Sequence, residues 1–245
     1  MAEVAEVFEG VTAPLYNDLI KRGQNILIAG MTGSGKSVMM NGMINSILYR
    51  NLAEHQMVLI DPKMVEFNKY RNTAHCICCA TDLASIERTL DGVLALIKRR
   101  FEYMQENNKN LYDGTTIHLL VDELADLVLI SKSATDKLQR ICQIGRAAKV
   151  QVIAATQCPL ASVIPTKIKV NFPILVGLHT ASARHSRNIL EVNGCETLPM
   201  YGEALIMYPT IGIQRTTVPM IPDEWIEKII EADSTETNLQ GSRRT

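Results

Sequence analysis

Short apolar runs alternate with segments of helical periodicity along most of the chain. Runs rich in Ile, Val and Leu predict strands near 25–30, 57–61, 75–79, 117–122, 150–156 and 173–178. Few polar residues interrupt these runs, which is typical of strands buried on both faces of a parallel sheet. The helical periodicity predicts helices near 36–50, 82–106, 134–148 and 183–190. We therefore predict an α/β fold with a mostly parallel central sheet flanked by helices.

The pattern changes after residue 200. Two strand-like segments, 203–208 and 212–218, are separated by Pro209 and predict a C-terminal β-hairpin. Pro222 is placed to open a last short helix. From residue 233 onward the chain is polar, which favours disorder. The predicted organisation is a single domain over 1–232 and a polar, disordered tail over 233–245.

A glycine-rich segment follows the first predicted strand and precedes the first predicted helix. It matches the phosphate-binding pattern GxxxxGK[ST] in the strand, loop and helix context that the pattern requires. Its glycines let backbone N–H groups turn around a phosphate, and the helix adds its positive N-terminal end. The predicted nucleotide-binding residues are Gly30, Met31, Thr32, Gly33, Ser34, Gly35, Lys36, Ser37 and Val38.

The residue types in this loop indicate ATP and Mg²⁺ as ligands. Lys36 is predicted to hold the β and γ phosphates, and it counts among the catalytic residues. Ser37 is predicted to place its hydroxyl on Mg²⁺, a cation that prefers oxygen ligands.

Two consecutive carboxylates, Asp122 and Glu123, end the apolar run that begins at Ile117. Carboxylates at the carboxyl end of a strand lie where open α/β sheets bind their ligands. We predict that Asp122 is a ligand of Mg²⁺ and that Glu123 activates the attacking water, as in other triphosphatases of this type.

Gln157 ends the buried run 150–156 in the same way. Its amide can both donate and accept, so it could report the γ-phosphate or the attacking water. A glutamine that only caps its loop explains the sequence equally well.

Five ordered blocks between positions 24 and 218 resemble the FtsK/SpoIIIE family of DNA-translocating motors: GMTGSGKSVMMNGMINSIL, LIDPKMVEFNKY, LLVDELADL, GRAAKVQVIAATQCP and ARHSRNILEVNGCETLPMYGEALIM. The resemblance implies a RecA-like P-loop core, assembly as a homo-hexamer, and ATP hydrolysis coupled to the movement of double-stranded DNA through a pore. It also implies that Asp61-Pro62-Lys63 lies close to the nucleotide and links it to the rest of the ring.

Rings of this kind complete the ATP site with an arginine from the neighbouring subunit. The candidates are Arg146, which we favour, then Arg187, and also Arg184. Two residues depart from the family pattern: Lys149 replaces the usual glycine after the GRAA-like block, and Cys158 stands where an arginine is common.

Composition adds limits to the partners and the location of the chain. No apolar run reaches the roughly 20 residues that span a bilayer, and the acidic N-terminus lacks the layout of a secretory signal, so we expect a cytoplasmic chain with no membrane segment.

The net charge of −1 means that DNA contact needs locally grouped cations. The predicted contact loops are 107–114, with Lys109 and Tyr112, and 158–169, with Lys167 and Lys169, both expected on the C-terminal side of the sheet or at the ring axis.

One alternative function stays open. A secretion or coupling ATPase of the type VII secretion or conjugation type, acting on a protein substrate with a membrane-bound or secretion partner, would carry the same phosphate loop. The presence of a single ATPase copy mildly favours DNA.

Overall fold

The computed structural model describes residues 13–49, 54–157 and 163–241. The strands of these ranges form an eight-stranded sheet in the order β3-β2-β4-β5-β1-β6-β7-β8. They are β1 (Ile26–Ala29), β2 (His55–Ile60), β3 (Cys76–Ala80), β4 (Thr116–Val121), β5 (Val150–Thr156), β6 (Ile174–Gly177), β7 (Glu203–Tyr208) and β8 (Gly212–Thr217). Strands β1 to β6 pair in parallel, and β7 and β8 add an antiparallel hairpin. The mostly parallel α/β sheet and the C-terminal hairpin predicted from the sequence are confirmed.

Helices cover both faces of the sheet. They are α1 (Ala13–Lys21), α2 (Lys36–Tyr49), α3 (Leu83–Glu106), α4 (Leu124–Ile130), α5 (Lys132–Ile144), α6 (Thr166–Lys169), α7 (Ala183–Leu190) and α8 (Asp223–Gly241). Short 3₁₀ turns lie at Asn68–Tyr70, Arg146–Ala148 and Cys195–Thr197. None of the helices in the described part of the chain is both long and apolar enough to cross a membrane.

Alternation along each strand divides the core into two layers. In β1, Ile26 and Ile28 pack with α1, α2 and α8, whereas Leu27 and Ala29 pack on the other face with α3, α5 and α7. All four side chains of β1 are buried. A central strand covered on both faces needs no polar positions, which explains why the strand runs of the sequence lack polar alternation.

Some elements differ from the sequence prediction. The helix predicted over 134–148 begins at Lys132, ends at Ile144 and is followed by a 3₁₀ turn. Gly145 allows this break, because an added Cβ there would lie 2.7 Å from the Ile141 carbonyl oxygen. Helices α1, α4 and α6 were not predicted, since they are short and their apolar residues do not extend over several turns.

The last helix is longer than predicted. It continues across residue 233 to Gly241, and the buried Asp233 carboxylate contacts His75 Nδ1 at 2.6 Å. This contact between α8 and the start of β3 continues the packed structure past the expected domain end at 232. The remaining residues of the predicted tail, 242–245, lie outside the described residues, and the domain division itself stays a prediction.

The parallel strands give the sheet two distinct edges. At the C-terminal edge, the carboxyl ends of β1, β4 and β5 lie side by side, as the pairing of Ala29 with Thr156 and of Val121 with Ala154 shows. At the N-terminal edge the same strands begin, and the chain returns there after each crossover helix. This geometry decides which loops share a site, because residues that follow neighbouring parallel strands meet at one edge.

Candidate nucleotide site

The phosphate loop joins β1 to α2 at the C-terminal edge of the sheet. Gly33 and Gly35 have φ angles of 79° and 99°, a region that favours glycine over residues with a side chain. A Cβ on Gly30 would lie 2.8 Å from Leu178 Cβ, so the loop and β6 approach too closely for a larger residue. The backbone therefore adopts the tight turn that the glycine pattern predicts.

Lys36 begins α2 and turns its ammonium group back over the loop. Its Nζ donates to the carbonyl oxygens of Gly30 at 2.9 Å and Met31 at 2.8 Å. Burial lowers the pKa of Lys36, and the carboxylates of Glu123 and Asp122 oppose that effect. The lysine is thus held within the loop and faces the two carboxylates that follow β4.

Ser37 contacts a residue that the sequence reading did not assign to the site. Its Oγ donates to Glu66 Oε1 at 2.7 Å. Glu66 is positioned by Asp61, whose Oδ2 accepts from the Glu66 N–H at 3.0 Å and the Phe67 N–H at 2.9 Å. Glu66 lies in the LIDPKMVEFNKY block. Its contact with Ser37 in the folded chain identifies it as a site residue, whereas its sequence spacing from Ser37 does not.

The Asp61-Pro62-Lys63 segment shapes this turn. Asp61 is fully buried and follows β2, and its Oδ1 has no hydrogen-bond partner among the described residues. Lys63 forms an ion pair with Asp126 in α4 at 3.1 Å. The segment therefore connects the residue that contacts Ser37 with the helix that follows Asp122 and Glu123.

Asp122 lies in an acidic, partly buried position. Burial, followed by the neighbouring carboxylates of Glu66, Asp61 and Glu123, raises its pKa to about 7, and Lys63 opposes the shift. A divalent cation beside Asp122 would favour the ionised carboxylate, because opposite charges lower the pKa of an acid.

Glu123 is 4% exposed and caps the N-terminus of α4. Its Oε1 accepts from the Ala125 N–H at 3.3 Å, and both of its carboxylate oxygens accept from the Gln157 N–H at 3.2 Å. These bonds hold the carboxylate in one orientation between β4 and β5. A carboxylate fixed in this way is suited to orient a water molecule and accept its proton.

Gln157 connects this carboxylate to the phosphate loop. Its backbone N–H bonds Glu123, and its side-chain Oε1 accepts from Thr32 Oγ1 at 2.6 Å. The structure therefore brings Gln157, predicted from its place after a strand, next to both halves of the site. Thr32 was predicted only as a loop residue, and its partner depends on the pairing of β1 with β5.

Two other predicted loop residues have local contacts. The Met31 N–H donates to the His179 carbonyl at 3.0 Å, and the Ser34 N–H donates to the Met31 carbonyl at 3.2 Å. Val38 packs against the core from the first turn of α2. These contacts fix the loop between β1, β6 and α2.

The candidate arginines lie away from this group of residues. Arg146 lies in the 3₁₀ turn before β5, at the N-terminal edge of the sheet. Arg187 lies in α7 and donates to Asn193 Oδ1 at 2.6 Å, and Arg184 is exposed on the same helix. None of the three is among the contacts of the phosphate loop within the described chain, so any role at an ATP site needs a second subunit.

The described parts of the two predicted DNA loops contact different elements. Loop 107–114 leads into β4 and contacts the 3₁₀ turn through the Tyr112 N–H, which donates to the Ala147 carbonyl at 2.9 Å. Its expected placement on the C-terminal side of the sheet is wrong, because α3 returns the chain to the N-terminal edge before β4 begins. Its expected placement at the ring axis stays a prediction. The second loop is described only from residue 163, and residues 158–162, with Cys158, lie outside the described ranges.

The lysines of both loops contact carboxylates. Lys109 Nζ pairs with Asp113 and bonds Tyr103 Oη at 3.1 Å. Lys167 lies 3.6 Å from Asp136, and Lys169 lies 3.5 Å from Glu191. Their contact with DNA stays a prediction, and it would require these ion pairs to open.

Comparisons with known proteins agree with the fold. The FtsK/SpoIIIE family model matches residues 2–115. The chain is 37% identical over 231 residues to a DNA translocase FtsK of Oceanobacillus iheyensis, covering 84% of this chain and 29% of that protein. It is 33% identical over 241 residues to the DNA translocase SpoIIIE of Bacillus subtilis, covering 88% of this chain and 30% of that protein. The chain thus spans less than a third of the length of these relatives.

Solved structures share the fold at lower identity. The pCW3 conjugation coupling protein TcpA, in its monomer form with ATPγS, aligns with a TM-score of 0.75 and 20% identity over 86% of this chain and 65% of that chain. The cytoplasmic domain of the type VII secretion ATPase EccC from Thermomonospora curvata aligns with a TM-score of 0.71 and 20% identity over 85% of this chain and 27% of that chain. The P-loop ATPase fold is therefore confirmed. Together with the sequence matches, this places the chain in the FtsK/SpoIIIE family.

Proposed function

We propose that this chain is an ATP-hydrolysing motor domain that moves double-stranded DNA. The observation that supports the proposal most directly is the hydrogen-bonded connection of Thr32, Gln157 and Glu123, which joins the phosphate loop to the catalytic carboxylate. Lys36 holds the β and γ phosphates, Glu123 takes a proton from the attacking water, and Gln157 responds to the γ-phosphate. Loss of that phosphate would change the contacts of Thr32 and Gln157 and thereby alter the end of β5.

The residues also fit a magnesium ion. Ser37, Asp122 and Glu66 supply a hydroxyl and two carboxylates at the phosphate loop, and Mg²⁺ prefers such oxygen ligands while retaining waters. When bound, Mg²⁺ neutralises charge on the phosphate oxygens. Ser37 and Asp122 are the proposed ligands, and Glu66 orients the Ser37 hydroxyl.

The family supports a proposal for the assembly. The relatives are DNA translocases, and we infer the same cargo and a homo-hexameric ring for this chain. Arg146 is the proposed arginine from the neighbouring subunit, since it is exposed and lies at the edge opposite to its own phosphate loop. Arg187 is the second candidate. A cytoplasmic location agrees with ATP as the substrate.

Stimulation of ATP hydrolysis separates DNA from protein cargo. We expect linear duplex DNA to raise the hydrolysis rate of the intact chain, and Lys36→Ala to show no hydrolysis with or without DNA. A rate that does not respond to duplexes of any length, but rises with an added polypeptide, would reject the DNA assignment in favour of a secretion ATPase.

A second experiment tests the arginine. Arg146→Ala should bind ATP and hydrolyse it poorly, and mixing it with Glu123→Gln should restore part of the activity at interfaces that keep both residues. Mixed rings without recovered activity would exclude action by Arg146 across the subunit boundary.

A further inference from the structure

A cavity of about 370 Å³ opens at the N-terminal edge of the sheet, away from the phosphate loop. Its wall includes side chains from distant parts of the chain: Lys21, His55, Leu111, Arg146 and Lys149. The seven residues of β5 run between this edge and Gln157, which corresponds to about 23 Å of strand. The cavity is therefore separate from the nucleotide site described above.

The wall of the cavity is predominantly positive. Lys21 and Arg146 are exposed, and neither forms an ion pair within the described ranges of the chain. Arg22 also lines the wall but is paired with Asp18 at 2.7 Å. The carboxylate in the wall is that of Glu54. Cations that have no carboxylate partner of their own would attract an anionic ligand.

Lys149 reaches this wall from a strained backbone. Its φ of 51° and ψ of 46° lie in the left-handed region, which is unfavourable for a residue with a Cβ. Arg100 holds the turn in place, because its buried Nη1 donates to the carbonyl oxygens of Ala148 at 2.6 Å and Lys149 at 3.2 Å. The Lys149 ammonium donates to the Gly114 carbonyl at 3.1 Å, which leaves it further donors. Strain of this kind is concentrated at functional sites.

A buried hydrogen-bond chain lies behind the cavity. Gln151 Nε2 donates to the carbonyl oxygens of Leu19 at 3.1 Å and Gln24 at 2.7 Å, which fixes the orientation of its amide. Gln151 Oε1 therefore accepts from His118 Nδ1, 2.8 Å away. His118 is fully buried, and burial lowers its pKa to about 3, so its ring is neutral and its Nε2 carries no proton.

This chain fixes the tautomer of His55. His118 Nε2 must accept from His55 Nδ1, which lies 2.7 Å away. The two rings are nearly coplanar, at an interplanar angle of 16° and a centroid distance of 5.0 Å. Burial also lowers the pKa of His55, which keeps the ring neutral. Its Nε2, on the side away from His118, therefore presents a lone pair that can accept a hydrogen bond.

We propose that this cavity binds a small phosphate monoester of the nucleoside monophosphate class. Lys21 and Lys149 supply charge-assisted donors for the phosphate. His55 Nε2 accepts from a hydroxyl or amino group of the ligand. Leu111, which is 55% exposed, offers an apolar surface for a flat ring. A cavity of this volume suits a small ligand, since ligand sites typically begin at about 300 Å³.

Binding of AMP to the Lys36→Ala chain tests the proposal, because that change removes tight binding at the phosphate loop. We expect calorimetry to detect AMP binding, and a second change, Lys149→Gly, to weaken it by about tenfold or more. Glycine removes the ammonium and accepts the positive φ, so the variant is expected to fold. Lys98→Ala, at a lysine that is 80% exposed on α3, is the matched control and should leave AMP affinity unchanged.

A substitution of His55 provides an independent test of AMP binding. His55→Phe keeps a flat ring and removes the acceptor, and we expect it to weaken AMP more than inorganic phosphate. No binding of AMP to Lys36→Ala at about 10 mM, a concentration above common weak-site constants, would overturn the proposal. An AMP affinity that Lys149→Gly leaves unchanged would also overturn the proposal. So would binding of a duplex oligonucleotide that depends on Lys149, if AMP does not bind.

Discussion

The raised pKa of Asp122 predicts that nucleotide binding with Mg²⁺ releases protons. With a pKa of about 7, Asp122 is half protonated at pH 7 in the free chain. A carboxylate that contacts a divalent cation is ionised, so binding should release about 0.5 proton per subunit at pH 7 and about 0.1 at pH 8. Asp122→Asn removes this contribution, because an amide does not titrate.

Calorimetry in buffers with different ionisation enthalpies measures the released protons. The titrant is the Mg²⁺ complex of a slowly hydrolysed ATP analogue, so turnover does not add heat. The proton count of Asp122→Asn is subtracted from that of the unchanged chain, which cancels protons exchanged by the ligand and by other groups. Equal counts for the two proteins at pH 7, or a difference that does not shrink by pH 8, would refute the assignment of Asp122 to the metal.

The raised pKa of Asp122 also determines the direction in which the stability of the fold changes with pH. The pKa of Asp122 in the folded state lies above the ordinary value of 3.8. The contribution of Asp122 to the free energy of unfolding is therefore fully present below pH 3.8 and is lost as the pH rises through about 7. For a wholly buried group, the difference between the folded and ordinary pKa values corresponds to about 4 kcal/mol of stability. Partial exposure of Asp122 reduces this contribution to about 1–2 kcal/mol. Denaturant unfolding should therefore show Asp122→Asn to be more stable than the unchanged chain at pH 8 but not at pH 4. A constant difference between the two proteins across this range would contradict the shift.

Three substitutions test the remaining residues of the site. Lys36→Ala should remove most ATP affinity, because a charge-assisted contact to two phosphates is lost, and unchanged affinity by calorimetry would contradict this role. Glu123→Gln should keep ATP affinity and slow hydrolysis by about 100-fold or more, whereas near-normal turnover would mean that another group orients the water. Glu66→Gln should weaken ATP binding in Mg²⁺ by about tenfold and leave binding in EDTA unchanged, because the negative charge at the Ser37 hydroxyl is lost. Equal losses in Mg²⁺ and EDTA would instead indicate a collapsed phosphate loop.

Local patterns were sufficient for the phosphate loop and the sheet. The glycines, Lys36 and Ser37 are adjacent in sequence, and their conformations depend on positive φ angles and on the helix that follows. The strand runs were recognisable because strands buried on both faces require continuous apolar residues. Asp122, Glu123 and Gln157 were found because they follow such runs, and parallel strands place their carboxyl ends at one edge.

Only the tertiary structure decided which distant residues meet. Glu66 reaches Ser37 because the buried Asp61 turns the chain after β2, and no spacing rule predicts that contact. His55, His118 and Gln151 form a chain because β2, β4 and β5 are neighbours, an order that the sequence does not state. The same order places Arg146 and loop 107–114 at the edge opposite the phosphate loop. Sequence patterns record the environment of each residue along the chain, whereas contacts across the sheet depend on strand order, which is set by the packing of the whole domain.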